Sequence, residues 1–242
     1  MLRSTSGTVI LLAGLGLLGI GCSDDGDDDQ PSDPAAFELT SPAFDAGQAL
    51  PLEYTCTGKN FPFSGSPPVD HTSPELTWTA GPANTQSYAI VFKDVTLTTG
   101  TPLNELGYHW AIYNIPASVR SLPRALASGN PIAAVAGAKQ YSGPLFNDGY
   151  VGPCPSWGVA PGAPPLDPPA TVVTDNYTFT VFAMPTATIT APAERPAPGA
   201  DAPPISYVRD LDDYFLANAI GKTSLATTSN AQPAMFATPP AP

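Results

Sequence analysis

The chain has 242 residues, of which 43% are hydrophobic and 12% charged, with 31 prolines and 21 glycines. Its 9 tyrosines, 10 phenylalanines and 3 tryptophans can furnish a sizeable core, which excludes a wholly disordered protein. The formal charge of −12 argues against a nucleic-acid partner, because proteins that bind phosphate backbones need a basic face.

The first 21 residues predict an export signal rather than part of a folded domain. Arg3 precedes an apolar run at 8–20, which is shorter than the ~20 residues needed to span a bilayer. Gly21 before Cys22 resembles a bacterial lipobox, although Gly19 stands where leucine is usual. We therefore expect a lipoprotein held in the bacterial cell envelope, at the outer membrane or periplasmic face, by a lipid on Cys22. An ordinary secreted protein and an uncleaved anchor are the alternatives.

Residues 22–36 form an acidic segment with five aspartates between Asp24 and Asp29. Like charges at this density repel one another and cannot be buried, which predicts a disordered, solvated tether. A calcium-binding loop is the alternative, but the segment lacks a bidentate glutamate at the required spacing.

The chain beyond the tether predicts short strands separated by turns. Apolar residues at 37–39 and 76–78 indicate short strands, and continuous apolar runs at 88–92 and 109–115 indicate strands buried on both faces. Residues 177–183 alternate instead, which places four side chains on one face: Tyr177, Phe179, Val181 and Ala183.

An amphipathic helix is predicted at 210–220, with Asp210 as its N-cap and Gly221 as its C-terminal stop. One face of this helix would carry Leu211, Tyr214, Phe215 and Ala219. Together these elements predict a β-rich α+β domain at 37–226, followed by a flexible proline-rich tail at 227–242.

Two cysteines besides Cys22 form an even pair, Cys56 and Cys154, which suits an exported protein with a disulfide. A bond between them would close a long loop and stabilise the fold by about 4–5 kcal/mol in the chain-entropy account. Two separately buried thiols are the alternative, because the sequence does not show whether the Cα atoms lie within reach.

Six phrases carry a resemblance to a known family, and they are FELTSPAF (37–44), LPLEYTCTG (50–58), SPELTW (73–78), GYHWAIYNIP (107–116), GYVGPCP (149–155) and YTFTVFA (177–183). In their residues and in their order along the chain they resemble motifs of the phosphatidylethanolamine-binding protein (PEBP) family, in its bacterial Raf-kinase-inhibitor-like branch. The resemblance implies a central antiparallel sheet packed on a smaller sheet, with peripheral helices. It also implies a small anion-accepting pocket between loops.

The same resemblance implies which residues bind the ligand. In the family an Asp, the His of the His-Trp phrase, a Gly-Pro turn and a His-x-Tyr pair converge on it. The matching positions in this chain are Asp94, His109, Gly152, Pro153, Asp175 and Tyr177. A His and a Tyr can donate to phosphate oxygens, and a nearby carboxylate can hold the tautomer of the imidazole and favour its charged form. Structural roles in a sheet, a turn or the core are the alternative for each residue.

This chain departs from the family pattern at two of these positions. Val95 follows Asp94 where the family has a Pro-Asp pair, and Asp175 stands at the histidine of the His-x-Tyr pair. Two carboxylates and one imidazole would then face the ligand. Unit charges about 5 Å apart at an effective dielectric near 20 interact by roughly 3 kcal/mol, which would weaken phosphate binding about a hundredfold. The other histidine, His71, belongs to an insertion at 61–72 and is expected to be exposed.

The leading functional interpretation is a non-catalytic module that binds a small anionic or zwitterionic ligand, such as phosphate or a phospholipid headgroup, without cofactor or metal. The alternative is a protein-interaction module that inhibits a protease or kinase through the proline-rich segment 156–174. An enzyme is disfavoured, because the chain has no nucleophile elbow, HExxH, P-loop or paired CxxC motif. Its two histidines also make a zinc site hard to build.

Overall fold

The computed structural model describes residues 36–56, 71–99, 105–142, 148–155, 173–190 and 207–231. The predicted signal peptide, Cys22 and the predicted tether up to residue 35 lie outside these residues. No helix in the described ranges is long and apolar enough to cross a membrane.

Eight strands in the described residues form two antiparallel sheets. The small sheet has the order β1-β2-β5 and contains β1 (Leu39–Thr40), β2 (Leu76–Trp78) and β5 (Ser121–Leu122). The large sheet has the order β6-β4-β3-β7-β8 and contains β3 (Ser87–Asp94), β4 (Tyr108–Pro116), β6 (Lys139–Ser142), β7 (Asp175–Met184) and β8 (Gly221–Ser229). This arrangement confirms the predicted β-rich α+β class.

The described residues also contain four helical elements, which lie outside the sheets. They are α1 (Val95–Thr98), α2 (Tyr207–Asn218) and 3₁₀ turns at Leu52–Tyr54 and Glu105–Gly107.

The alternation of side chains along the central strands creates the two larger clusters of buried residues in the described part of the chain, and a third, small cluster surrounds Cys56 and Ala231. The main cluster joins the two sheets and includes the four β7 residues predicted to share a face: Tyr177, Phe179, Val181 and Ala183. The other face of the large sheet contributes Val91 and Phe182, which cluster with Leu211 and Phe215 of α2. The central strand β3 is therefore buried on both faces, as its continuous apolar run predicts.

Two predicted helix boundaries are wrong. The helix α2 begins at Tyr207, so Asp210 lies in its first turn rather than at the N-cap. Gly221 does not simply end the helix, because it is the first residue of strand β8. That strand pairs with β7 as far as Ser229, three residues past the expected domain boundary at 226. The sequence does not predict this strand, because most of its residues are threonines and serines, which form no apolar pattern.

The antiparallel register gathers the predicted site residues at one end of the large sheet. Asp94, at the end of β3, pairs with Tyr177 of β7. Asp175 is the first residue of β7, and His109 is the second residue of β4, which pairs with the other side of β3. The order of the strands therefore brings together residues that are 81 positions apart in sequence, Asp94 and Asp175.

Candidate functional site

Asp94 provides a buried carboxylate at the end of strand β3. Its side chain is 1% exposed, and its Oδ1 accepts a hydrogen bond from the Leu97 N–H at 3.0 Å, which caps the short helix α1. Its Oδ2 is also buried and has no hydrogen-bond partner within the described part of the chain. Burial raises the pKa of Asp94 to about 6, and the charge of Asp175 adds to this effect. The Leu97 hydrogen bond and the nearby Tyr177 hydroxyl partly offset the rise in pKa.

Asp175 and Tyr177 complete an acidic corner beside Asp94. Asp175 is 6% exposed, and burial raises its pKa, with partial compensation from its contact with the Asp94 carboxyl. Burial also raises the pKa of Tyr177, and the charges of both aspartates add to this rise. The Tyr177 hydroxyl therefore keeps its proton and remains a hydrogen-bond donor at neutral pH.

His109 places an imidazole beside this corner. Its ring lies 5.5 Å from the Tyr177 ring in an edge-on arrangement, and 5.4 Å from the Phe92 ring. Its Nδ1 donates to the Val151 carbonyl at 3.2 Å. Burial lowers the pKa of His109 to about 4, the Val151 hydrogen bond acts in the opposite direction, and the charge of His71 lowers the pKa further. The expectation that a carboxylate holds a charged imidazole is wrong, because a backbone carbonyl accepts from Nδ1 and burial favours the neutral ring.

The Gly-Pro turn is fastened to the 3₁₀ turn at Leu52–Tyr54 and the residues that follow it. The Tyr150 hydroxyl donates to the Tyr54 carbonyl at 2.9 Å, and the Cys56 N–H donates to the Pro153 carbonyl at 3.1 Å. Cys56 and Cys154 form a disulfide with their Cα atoms 5.5 Å apart, which resolves the alternatives left open by the sequence in favour of the bond.

Gly152 is required at its position by the space available. A Cβ atom there would lie 2.5 Å from the Tyr54 carbonyl oxygen and 2.8 Å from the Thr55 Cα. Both neighbours are backbone atoms, so they cannot move aside as the end of a flexible side chain would. Gly152 therefore shapes the wall of the site through its backbone, and the Pro153 carbonyl fastens the turn to Cys56.

His71 is the residue that the sequence interpretation missed. The prediction of an exposed His71 is wrong, because the side chain is 5% exposed and its Nδ1 accepts a hydrogen bond from the Gly152 N–H at 2.8 Å. A second imidazole, that of His71, is therefore bonded to the Gly-Pro turn and lies close enough to His109 to affect its pKa. The only available signal was that His71 is one of just two histidines in the chain.

Two further observations concern metal ligands and cavities in the described residues. No group of three or more His, Cys, Asp or Glu in the described ranges is placed to hold a metal ion. A cavity of about 790 Å³ lies at the opposite end of the large sheet and contains none of the predicted site residues. It is lined by groups that include Tyr113, Tyr141 and Tyr207.

Comparisons with known proteins agree with the phrases in the sequence. A family model described as "Phosphatidylethanolamine-binding protein" matches residues 40–230. A UPF0098 protein of Aquifex aeolicus is 32% identical over 51% of this chain, and the match spans only 61% of that relative. The UPF0098 protein YbcL of Escherichia coli is 30% identical over 63% of this chain and 70% of its own length.

A solved structure and a third relative add to these matches. The crystal structure of Escherichia coli YbcL, titled a new member of the mammalian PEBP family, superimposes with a TM-score of 0.53 at 24% identity. The superposition covers 81% of this chain and 99% of YbcL, and it shows that the fold is shared. LppC of Mycobacterium tuberculosis, whose name marks it as a candidate lipoprotein, is 29% identical over 64% of this chain and 59% of its own length.

Proposed function

Because the chain belongs to the phosphatidylethanolamine-binding protein family, we propose that it is a non-catalytic protein that binds a small anionic or zwitterionic ligand. The ligand site consists of the side chains of Asp94, His109, Asp175 and Tyr177, with the Gly152–Pro153 backbone as its wall. The ligand is of the phosphate or phospholipid-headgroup type, and neither a cofactor nor a metal takes part.

The observation that carries this proposal is the buried carboxyl of Asp94 in the acidic corner with Asp175 and the Tyr177 hydroxyl, where Oδ2 of Asp94 has no hydrogen-bond partner among the described residues. Buried polar groups are normally hydrogen-bonded, so this oxygen is suited to a donor supplied from outside the protein. The neutral His109 leaves its Nε2 as a second acceptor, while Tyr177 is a donor. A ligand that carries both an ammonium and a phosphate group matches these features better than phosphate alone.

The charge of the site also favours a ligand that carries an ammonium group over phosphate alone. At pH 7 the Asp94 carboxyl is mostly ionised, because this pH lies above its pKa of about 6, while His109 is neutral. The site then carries negative charge and repels an isolated phosphate dianion. Below pH 6 Asp94 takes up a proton, which weakens this repulsion.

Export to the cell envelope is part of the proposal. The N-terminal signal and Cys22 predict lipidation, and LppC carries a lipoprotein name. The Cys56–Cys154 disulfide is consistent with an oxidising compartment. The interpretation as an inhibitor of a protease or kinase relied on segment 156–174, of which only residues 173 and 174 are described, so no observation favours it.

The test is calorimetric titration with O-phosphoethanolamine and with inorganic phosphate, at pH 7.5 and pH 5. We expect the wild type to bind O-phosphoethanolamine more tightly than phosphate at pH 7.5, and phosphate binding to strengthen at pH 5. Asp175→His should improve phosphate affinity about a hundredfold, since it removes a repulsion of roughly 3 kcal/mol.

The matched control is Asp213→His, which makes the same change of charge on the exposed surface of α2. This variant should leave both affinities unchanged. Tight phosphate binding by the wild type that Asp175→His does not improve would contradict the proposed function.

A further inference from the structure

A single peptide group connects the two histidines of the chain. The Val151 carbonyl accepts a hydrogen bond from His109 Nδ1 at 3.2 Å, and the Gly152 N–H donates to His71 Nδ1 at 2.8 Å. This carbonyl and this N–H belong to the same peptide bond, the one between Val151 and Gly152. The two imidazoles therefore lie at opposite ends of one planar unit.

These two hydrogen bonds determine which nitrogen of each ring carries the proton. A carbonyl oxygen can only accept, so Nδ1 of His109 is protonated and Nε2 of the neutral ring holds a lone pair. A backbone N–H can only donate, so Nδ1 of His71 holds a lone pair and Nε2 carries its proton. The histidines therefore occupy opposite tautomers, and a single peptide group fixes both.

The peptide group is held so that movement at one end must affect the other. Hydrogen bonds at both ends of an amide polarise it in the same sense and strengthen each other. The peptide lies between the Tyr150–Tyr54 hydrogen bond and the Cys56–Cys154 disulfide, which fasten the chain on either side. A side chain at 152 would displace this peptide, because a Cβ there would lie 2.5 Å from the Tyr54 carbonyl oxygen.

We propose that His71 is a positioning residue of the ligand site, which holds the Val151–Gly152 peptide and thereby keeps His109 in the tautomer that offers Nε2 to a donor on the ligand. The part of this proposal that concerns the ligand rests on the proposed function. The part that concerns the tautomer does not. The ligand class that follows is one with a hydrogen-bond donor, such as a protonated amine, at the end that meets His109.

The experiment that tests the tautomers needs no ligand. Long-range ¹H–¹⁵N correlation spectra distinguish the two tautomers of an imidazole, and only two histidines contribute signals. In the wild type we expect an Nδ1–H tautomer for His109 and an Nε2–H tautomer for His71. The bond between Gly152 and His71 should also give a scalar coupling between the Gly152 amide nitrogen and Nδ1 of His71.

Two substitutions separate positioning from simple packing. Asn in His71→Asn places an amide oxygen near the position of Nδ1, so it can accept from Gly152 and should keep His109 in its Nδ1–H tautomer. His71→Leu fills similar space without an acceptor and should release His109 into a mixture of tautomers. Binding of O-phosphoethanolamine should weaken about tenfold in His71→Leu, the size of one neutral hydrogen bond, and should largely recover in His71→Asn.

The outcomes distinguish failure of this proposal from failure of the proposed function. An Nε2–H tautomer for His109 in the wild type, or no coupling between Gly152 and His71, overturns the proposal even if His71→Leu does not fold. An unchanged tautomer of His109 in a folded His71→Leu variant overturns it as well. If O-phosphoethanolamine binds to no variant while the tautomers behave as expected, the proposed function fails and the positioning role of His71 stands.

Discussion

Replacement of Asp94 by asparagine isolates the cost of burying this carboxyl. In Asp94→Asn the side-chain oxygen that accepts from the Leu97 N–H is retained, so the cap of α1 is kept. What is lost is the ionisable group whose pKa is raised from 3.8 to about 6. The variant therefore removes a titration while leaving the local structure in place.

The magnitude follows from the linkage between protonation and folding. Because the folded state holds the Asp94 proton more tightly than the unfolded state, the contribution of this group to stability is full below pH 3.8 and is lost as the pH rises through about 6. A shift of about two units at 1.36 kcal/mol each corresponds to about 3 kcal/mol. The free energy of unfolding of the wild type, minus that of Asp94→Asn, should fall by about this amount from pH 3.5 to pH 7.

Comparison with the variant is essential because His109 acts in the opposite sense. Its pKa is lowered from 6.5 to about 4, so its contribution to stability is present above pH 6.5 and is lost as the pH falls through 4. The two effects partly cancel in the wild type, so between pH 4 and 6.5 the stability of Asp94→Asn should rise more, or fall less, with pH than that of the wild type.

The assay is urea denaturation of both proteins, monitored by tryptophan fluorescence, at intervals of half a pH unit from pH 3.5 to pH 7.5. A difference between the two proteins that stays constant across this range would refute the reasoning. A variant that is clearly less stable than the wild type at pH 7 would refute it too, because the buried charge would then be favourable.

Two further predictions concern the wall of the site. Gly152→Ala should lower the free energy of unfolding by about 1–3 kcal/mol, because its Cβ would lie 2.5 Å from the Tyr54 carbonyl oxygen, and thermal melts that match the wild type would contradict this. The double substitution Cys56→Ser/Cys154→Ser should cost about 4–5 kcal/mol in urea denaturation, since the disulfide joins residues separated by 98 positions, and reduction of the wild type should cause a similar loss. A loss below 1 kcal/mol in the double variant would show that hydrogen bonds alone hold the turn.

The sequence predicts the central part of this fold because its patterns there are strong. Continuous apolar runs predict β3 and β4, and an alternation of apolar and polar residues predicts β7. The sequence therefore indicates that the large sheet is buried on both faces. The edge strand β8 was missed because its threonines and serines carry no apolar pattern. Strands of this kind form because a neighbouring strand, here β7, offers unpaired backbone groups.

The candidate site is likewise predictable from the sequence only in part. The phrase at 107–116 identifies His109, and the resemblance to the family places Asp94 at the end of the apolar run that forms β3. The bond between Gly152 and His71 joins residues 81 positions apart, and the disulfide joins residues 98 apart. Contacts of this range depend on the register of the whole sheet, which no short segment encodes. The sequence also does not predict the neutral state of His109, because that state depends on how deeply the ring is buried.

The central claim, that the end of the sheet with Asp94, His109, Asp175 and Tyr177 receives the ligand, is tested most directly by mapping chemical shifts during titration with O-phosphoethanolamine at pH 7.5. The account predicts that the largest changes fall on these four residues and on the Val151–Gly152 peptide. Changes confined to the opposite cavity, around Tyr113, Tyr141 and Tyr207, would contradict it. So would the absence of any change at millimolar ligand.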